Sequence, residues 1–368
     1  MRLRELRFED YEASRSVLAR NGLRAPTREQ WAHLCGDAPQ RAQLSGIPLG
    51  WLLERDGDGV VGTLRNIPFL YEWNTRPVRV AVASGWAVDP ACRHQSLALA
   101  AAYFRQAGVD VLLNTTAAED TAAKAFAALG AERVPQPGYT TRLLWITGYL
   151  AFADHVLRER GIPGARILRY PAALGARVAD TRRRRAERGE GERVSVIDRF
   201  DARFDRFWSV QRLQADRLQA VRDSAALQWR FALERQPMAI VVLERGSDLA
   251  GYAVLVRRDQ GALRRFEVAD LQALEDAPAR VRRVMDGALR MAAANGVQVV
   301  ALSGFNEAKR RALTPLAPYM KTSAGWPLFY KAVDAGLREP LRAPPAWDLS
   351  AYDGDALWSA VFSGGAAA

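Results

Sequence analysis

The stretch GWAVDPACRHQSLA, Gly85 to Ala98, reads as the end of a strand, a break and the start of a helix. Upstream the residues alternate: Ala81, Ala83, Gly85 and Ala87 make one face small, while Val80, Val82, Ser84, Trp86 and Val88 make the other mostly large. Pro90 has no backbone donor and ends the strand, and Asp89, Pro90 and Ser96 are residue types that open helices. A helix start exposes four unpaired N–H groups and a partial positive charge, so small residues there let an anion approach the backbone. The same residues also fit an ordinary helix start.

Outward from this stretch the chain repeats itself. WLLERDGDGVVGTL (Trp51 to Leu64) matches VVLERGSDLAGYAV (Val241 to Val254), so that Glu54-Arg55, Asp58 and Gly62 correspond to Glu244-Arg245, Asp248 and Gly251. AGVDVLLN (Ala107 to Asn114) matches NGVQVVAL (Asn295 to Leu302), and LRFEDYEASRSVLA (Leu6 to Ala19) matches IDRFDARFDRFWSV (Ile197 to Val210). The offset stays near 190 residues, which is a duplicated domain and far too long a period for a solenoid.

Hydrophobic periodicity gives both copies one order of elements, β-α-α-β-β-β-α-β-α-β. The first has a strand Arg2–Arg7 and helices at Tyr11–Arg20 and Thr27–Leu44, the latter opened by a Thr27/Gln30 capping box. A hairpin of Leu49–Arg55 and Val60–Tyr71 follows, then strand Pro77–Val88, helix Ser96–Gln106, strand Val109–Asn114, helix Thr121–Leu129 and a closing strand Thr140–Ile146. The second runs from strand Val194–Phe200 through helices Phe204–Val221 and Ser224–Glu234 to strands Met238–Glu244, Leu249–Arg257 and Leu263–Leu271. Helix Arg280–Ala294, strand Val297–Leu302, helix Asn306–Leu316 and strand Leu328–Val333 complete it. The expected division is a first domain 1–148, a helical connector and linker 149–193, a second domain 194–334 and an irregular, proline-bearing arm 335–368. Trp31, Trp51, Trp145, Trp208, Trp229 and Tyr252 are expected in the cores, with Trp347, Tyr352 and Trp358 fastening the arm to the second module.

Composition narrows the function classes. At 368 residues and 49% hydrophobic content the chain can bury two cores. It has no uncharged apolar run of eighteen residues, and the N-terminal MRLRELRFED is charged where a signal peptide would be apolar, so we read a cytosolic protein without membrane insertion. Two cysteines, Cys35 and Cys92, and three scattered histidines imply neither a disulfide framework nor a metal site. The net charge of +11 suits nucleic acid, an acidic surface or a polyanionic cofactor, though Arg182 to Arg185 read as a solvated linker.

The strand-break-helix stretch and the element order resemble the acyl-CoA N-acyltransferases of the GCN5-related (GNAT) superfamily. That family follows a V-x-P strand end with [Q/R]-x-x-G-x-[G/A]; here Val88-Asp89-Pro90 leads to Arg93-x-x-Ser96-x-Ala98, with serine in the first glycine position. The resemblance implies an α/β (α+β) protein of two tandem GNAT-like domains, each a mixed, mainly antiparallel sheet flanked by helices. It implies acetyl-CoA or another acyl-CoA as co-substrate, no metal, and a coenzyme site at Trp86, Val88, Arg93, His94, Gln95, Ser96, Leu97 and Ala98, with a strand bulge suited to Gly85.

It also implies a tyrosine acid on the helix after the fifth strand, where this chain has Phe126 in AFAALGA, so Tyr139, Thr115 or Thr116 are the alternative proton donors. Asn114, at a strand end, is placed to hydrogen-bond coenzyme or substrate, or else to end the strand. The second copy carries QALEDAPAR (Gln272 to Arg280) in place of the loop, and its acids would repel a pyrophosphate. That copy offers Glu267 and Asp270 on the strand where the family often places its general base; a salt bridge to Arg264 or Arg265 is the other role for Asp270. The expected activity is acyl transfer to a primary amine of a small-molecule acceptor. The alternatives are a Fem-like, aminoacyl-tRNA-dependent transferase, with tRNA as partner, and a non-catalytic binding protein of the same fold.

Overall fold

The computed structural model describes residues 1–115, 121–136, 138–179, 191–234, 237–322 and 328–357; Thr116, Arg182 to Arg185 and Trp358 lie outside the described residues. Along the chain the strands are β1 (Arg2–Glu5), β2 (Gly50–Arg55), β3 (Gly59–Trp73), β4 (Arg76–Val88), β5 (Val111–Asn114), β6 (Glu132–Arg133), β7 (Thr141–Ile146) and β8 (Glu192–Ile197). They continue as β9 (Leu218–Ala220), β10 (Met238–Arg245), β11 (Asp248–Arg257), β12 (Arg265–Ala273), β13 (Val299–Leu302), β14 (Tyr319–Thr322) and β15 (Phe329–Ala332). The helices are α1 (Tyr11–Arg20), α2 (Arg28–Gly36), α3 (Ser96–Arg105), α4 (Thr121–Ala128), α5 (Tyr149–Glu159), α6 (Ala165–Ala179), α7 (Ala202–Gln211), α8 (Ser224–Phe231), α9 (Pro278–Ala294), α10 (Glu307–Ala312) and α11 (Ala335–Arg338). Thr27 and Gln30 form the expected reciprocal cap of α2, but Gly36 and Pro39 end that helix well before Leu44.

Two mixed, mostly antiparallel sheets result. The first has the order β1-β2-β3-β4-β5-β15-β6, with β9 also on β3; the second has the order β14-β7-β13-β12-β11-β10-β8. One parallel pair occurs in each, β4 with β5 and β12 with β13. The first compact unit takes Met1–Pro135, Arg212–Leu233 and the described residues 328–357; the second takes Gln136–Gln211 and the described residues of Glu234–Gly325.

This division differs from the contiguous 1–148 and 194–334, because the closing strands are exchanged. β7, in the first copy by sequence, pairs with β13 and β14, and buries Leu143 and Trp145 in the core of the second unit. β15, in the second copy by sequence, pairs with β5 and β6 in the first unit. Alternation specifies that a strand has an apolar face but not which sheet receives it.

The helix expected over Phe204–Val221 likewise stops at Gln211. Asp216 adopts a left-handed φ of +55°, and the chain then enters the first unit as β9 and α8. The C-terminal arm fastens, as expected, to residues of the second copy by sequence, and with them belongs to the first unit: Trp347 packs on Tyr330 at 4.8 Å and Tyr352 Oη donates to the Val221 carbonyl at 2.7 Å. Both contacts are to segments that the exchange moved.

In the second unit, Val281, Val284, Met285, Ala288, Leu289 and Ala292 form the buried stripe of α9 against its sheet. Burial of each large member stabilises by roughly 1.5–3 kcal/mol, which is why this long helix anchors the unit.

Candidate functional site

The first sheet contains a fork. β4 and β5 are paired only from Val80–Val111 to Val82–Leu113; β4 then runs on to Val88 while β5 ends at Asn114. The Tyr103 hydroxyl lies 2.8 Å from the carbonyls of both Ala81 and Leu113, and so bridges the two strands where they part. On the other side of β4, Thr63 faces Ala87 but Arg65 faces Ser84, which leaves Gly85 and Trp86 opposite Leu64 alone. This is the bulge that the sequence places at Gly85. Gly85 has φ +58°, a conformation strained for other residues, and a Cβ there would lie 2.7 Å from Arg65 Nε and push that side chain aside, so glycine is favoured.

Trp86 leaves the bulge to stack on Phe126, with ring centroids 5.3 Å apart and planes at 17°. Phe126 is fully buried and also meets Phe104 and Phe329 edge-on. The Trp86 indole Nε1 is buried with no hydrogen-bond partner among the described residues. An orphaned donor of this kind costs roughly 1–3 kcal/mol.

β4 leads into a 3-10 turn, Pro90–Gln95, that runs directly into α3 at Ser96. The open loop with four free amides is therefore not what forms. Cys92 N–H bonds to Asp89 O, Ser96 N–H bonds to Arg93 O, and Gln95 and Ser96 both have right-handed helical dihedrals. With no glycine between Ala91 and Ala98, nothing favours the wider turn. Arg93, His94 and Leu97 are exposed on the turn, Gln95, Ser96, Ala98 and Trp86 are half-buried, and Val88 is buried.

The turn is nonetheless basic. Asp89 at its start is matched by Arg20, with Nη2 at 2.8 Å, and by Asn21, with Nδ2 at 3.0 Å; Arg55 Nη1 lies 3.5 Å from Cys92 Sγ. Arg20 and Arg55 lie near the turn, but each already meets a carboxylate, Arg20 that of Asp89 and Arg55 that of Asp58. Neither stands out in the sequence, because strands and a helix far apart in the chain bring them here.

At the far end of β5 the surroundings are polar and buried. Asn114 is buried opposite Phe329 of β15, and Thr115 Oγ1 donates to Asp355 Oδ1 at 2.7 Å. Arg222 holds Asp353 through Nη2 at 2.9 and 3.0 Å, and Tyr71 Oη donates to the Asp353 carbonyl at 2.7 Å. Burial pushes the Arg65 guanidinium down to about 10, with Cys35 and Asp355 as the neighbours that favour its charge. Arg65 therefore remains a cation at neutral pH beside the bulge. Sequence reading missed Arg65 and Asp355; a lone arginine in an apolar strand, and a carboxylate in a tail, were the signals available.

The second sheet has the same fork, since β12 pairs with β13 only from Arg265–Val299 to Val268–Leu302 and then runs on to Ala273. Its end is filled by Lys309. The fully buried Nζ donates to Leu271 O at 2.8 Å and Gln272 Oε1 at 3.0 Å, lies 3.5 Å from Asp276 Oδ1, and sits over Phe305. Asp270 is completely buried: Tyr252 Oη donates to it at 2.8 Å, and the Leu271 amide and Gln272 Nε2 donate at 3.1 and 3.0 Å. Arg265 pairs with Glu267 instead, at 3.3 Å. Tyr139 sits half-buried in the turn before β7. Tyr139 and Asp270 thus belong to the second unit, and Asn114 with the Trp86–Ala98 set to the first. No cluster of three or more His, Cys, Asp or Glu suited to a metal occurs among the described residues.

The sequence matches no protein-family model and no curated protein. Solved structures do match. A "probable N-acyltransferase" from Enterococcus faecalis V583 is 13% identical, with TM-score 0.57 over 90% of this chain and 72% of that one. A GCN5-related N-acetyltransferase from Kribbella flavida is 14% identical, with TM-score 0.56 over 91% and 72%. Eis1 from Mycobacterium abscessus is 14% identical, with TM-score 0.54 over 91% and 74%. The chain has the GCN5-related N-acetyltransferase fold. Within a GNAT fold, the fork at β4 and β5, the bulge at Gly85 and the turn into α3 form one connected feature of the first unit.

Proposed function

We propose that the protein is an acyl-CoA-dependent N-acyltransferase whose first unit binds the coenzyme. The observation that carries this reading is the contrast between the two forks. The first holds an orphaned indole donor and a basic turn, whereas the second is closed by a buried ammonium. In this reading the diphosphate lies against Arg93, His94, Gln95, Ser96, Leu97 and Ala98. Val88 and Trp86 line the path of the pantetheine, and Trp86 Nε1 donates to one of its carbonyls.

The acceptor is a primary amine of a small molecule. Its nitrogen attacks the thioester carbonyl carbon; the C–N bond forms, the C–S bond breaks, and the proton lost by the amine ends on the departing sulfur, giving the amide and free CoA thiol. Phe126 has no proton to give, so the Arg65 cation beside the bulge stabilises developing negative charge in place of an acid. Asn114 orients the acceptor or the acyl group. Of the alternative proton donors, Tyr139 belongs to the second unit and Thr115 gives its hydroxyl proton to Asp355, so neither is assigned to the thiolate. Asp270, completely buried and accepting from Tyr252 Oη, the Leu271 amide and Gln272 Nε2, serves the packing of the second unit and not proton removal.

The test is release of free CoA thiol from acetyl-CoA and longer acyl-CoAs across a panel of primary amines. Turnover that falls at least tenfold in Asn114→Ala supports the reading. Coenzyme binding without turnover for any amine would make the protein a binding module of this fold, and salt-sensitive binding of tRNA without coenzyme binding would favour the aminoacyl-tRNA-dependent class.

A further inference from the structure

The connector between the two sequence repeats forms a helical hairpin, α5 and α6, whose second helix leaves an apolar face in solvent. Ile167, Tyr170, Leu174 and Val178 are 76%, 57%, 63% and 58% exposed. At 100° per residue these four positions fall within one arc of about 80°. The inward arc is different: Ala165, Arg169, Ala173 and Ala176 are half-buried, and Arg169 Nη1 reaches Asp154 of α5 at 3.5 Å. Solvent-facing apolar residues are ordinary when scattered, but a contiguous stripe along one helix is a contact surface.

Charge indicates what the stripe contacts. α6 has three arginines, Arg166, Arg169 and Arg177, and no acidic residue. Arg166 and Arg177, both exposed, border the same side of the stripe. Two copies meeting face to face through this stripe would bring like charges together, whereas an anionic surface complements them. A helix with an apolar arc, an aromatic residue in that arc and arginines at its border is suited to the boundary between headgroups and acyl chains. No described helix is long and apolar enough to cross a bilayer. We infer that α6 is a peripheral docking helix for anionic lipid, lying in the plane of a membrane surface.

Co-sedimentation of the full chain with vesicles of equal parts phosphatidylglycerol and phosphatidylcholine, against pure phosphatidylcholine, tests this. Affinity for the anionic vesicles is expected to be roughly tenfold or more higher, to fall as salt rises, and to drop to the neutral-vesicle level in an Ile167→Glu/Leu174→Glu double variant. Both positions are solvent-facing, so the variant keeps the wild-type melting temperature. In a Tyr170→Trp variant, tryptophan emission shifts to the blue on anionic vesicles, a readout that adsorption through another basic patch would not give. Absence of binding at low salt, binding undiminished in the double variant, or a wild-type dimer without lipid binding that the double variant converts to monomer would each overturn the inference.

Discussion

Trp86 offers an unusual separation of stability from binding. Its indole N–H is buried and unsatisfied, so Trp86→Phe removes a cost of about 1–3 kcal/mol while keeping a ring against Phe126. Thermal melting should be unchanged or slightly raised, while acyl-CoA affinity falls about tenfold by calorimetry. Reduced stability with intact affinity would show that the donor has no coenzyme to meet. Gly85→Ala should behave in the opposite way. The left-handed φ and the nearby Arg65 both resist a Cβ, so a loss of about 1–3 kcal/mol in urea unfolding is expected, together with loss of turnover as Arg65 is displaced.

Much of this scale was legible. Small-large alternation located β4, because it depends on neighbours within a few residues, and the resemblance implied the bulge that Gly85 suits. Arg65 and Asp355 were not legible, since the fold, not the local chain, brings them to one place. The missing glycine in the turn was visible, yet its consequence, a tight 3-10 segment in place of an open loop, emerged only with the backbone.

At the scale of elements, two packed charges decide outcomes. In the second unit Lys309 compensates the ends of β12, so Lys309→Ala strands Asp276 and two carbonyl acceptors in the interior. A destabilisation of about 3–5 kcal/mol in denaturant titration is expected, with no gain of coenzyme binding. In the first unit Arg4 joins β1 to Glu54 of β2 and to Asp10 at the start of α1, at 2.7 Å each. The Arg4 hydrogen bonds, helped by the Arg7 amide, hold the Asp10 carboxyl below its ordinary value. A lowered carboxylate stabilises the fold fully above its unfolded pKa of about 3.9 and loses that contribution as pH falls through the lower folded value. Stability should therefore decline below about pH 4, with a shallower slope in Asp10→Asn; identical slopes would remove Asp10 from the account.

Element types were largely readable, because α1, α3, α9, β4, β10 and β11 carry strong periodicity. Partner choice was not. β7 and β15 look like ordinary closing strands of their own copies, and only tertiary packing of Trp145 and of Phe329 with Tyr330 decides otherwise.

For the whole molecule, exchange of segments makes the sequence repeats poor units of folding. The first unit needs β9, α8, β15 and the arm, including the buried Arg222–Asp353 pair. A fragment of residues 1–148 should lack a cooperative thermal transition by circular dichroism; a sharp transition like that of the full chain would mean that the exchanged segments are dispensable.

We propose that one unit alone accepts the coenzyme, at the turn ahead of α3. Calorimetric titration of the full chain with CoA measures it directly. The expected result is one equivalent bound per chain, with affinity reduced roughly ten- to hundredfold in Arg93→Glu at an unchanged melting temperature. Two equivalents, or a single one that Arg93→Glu leaves undisturbed, would contradict it.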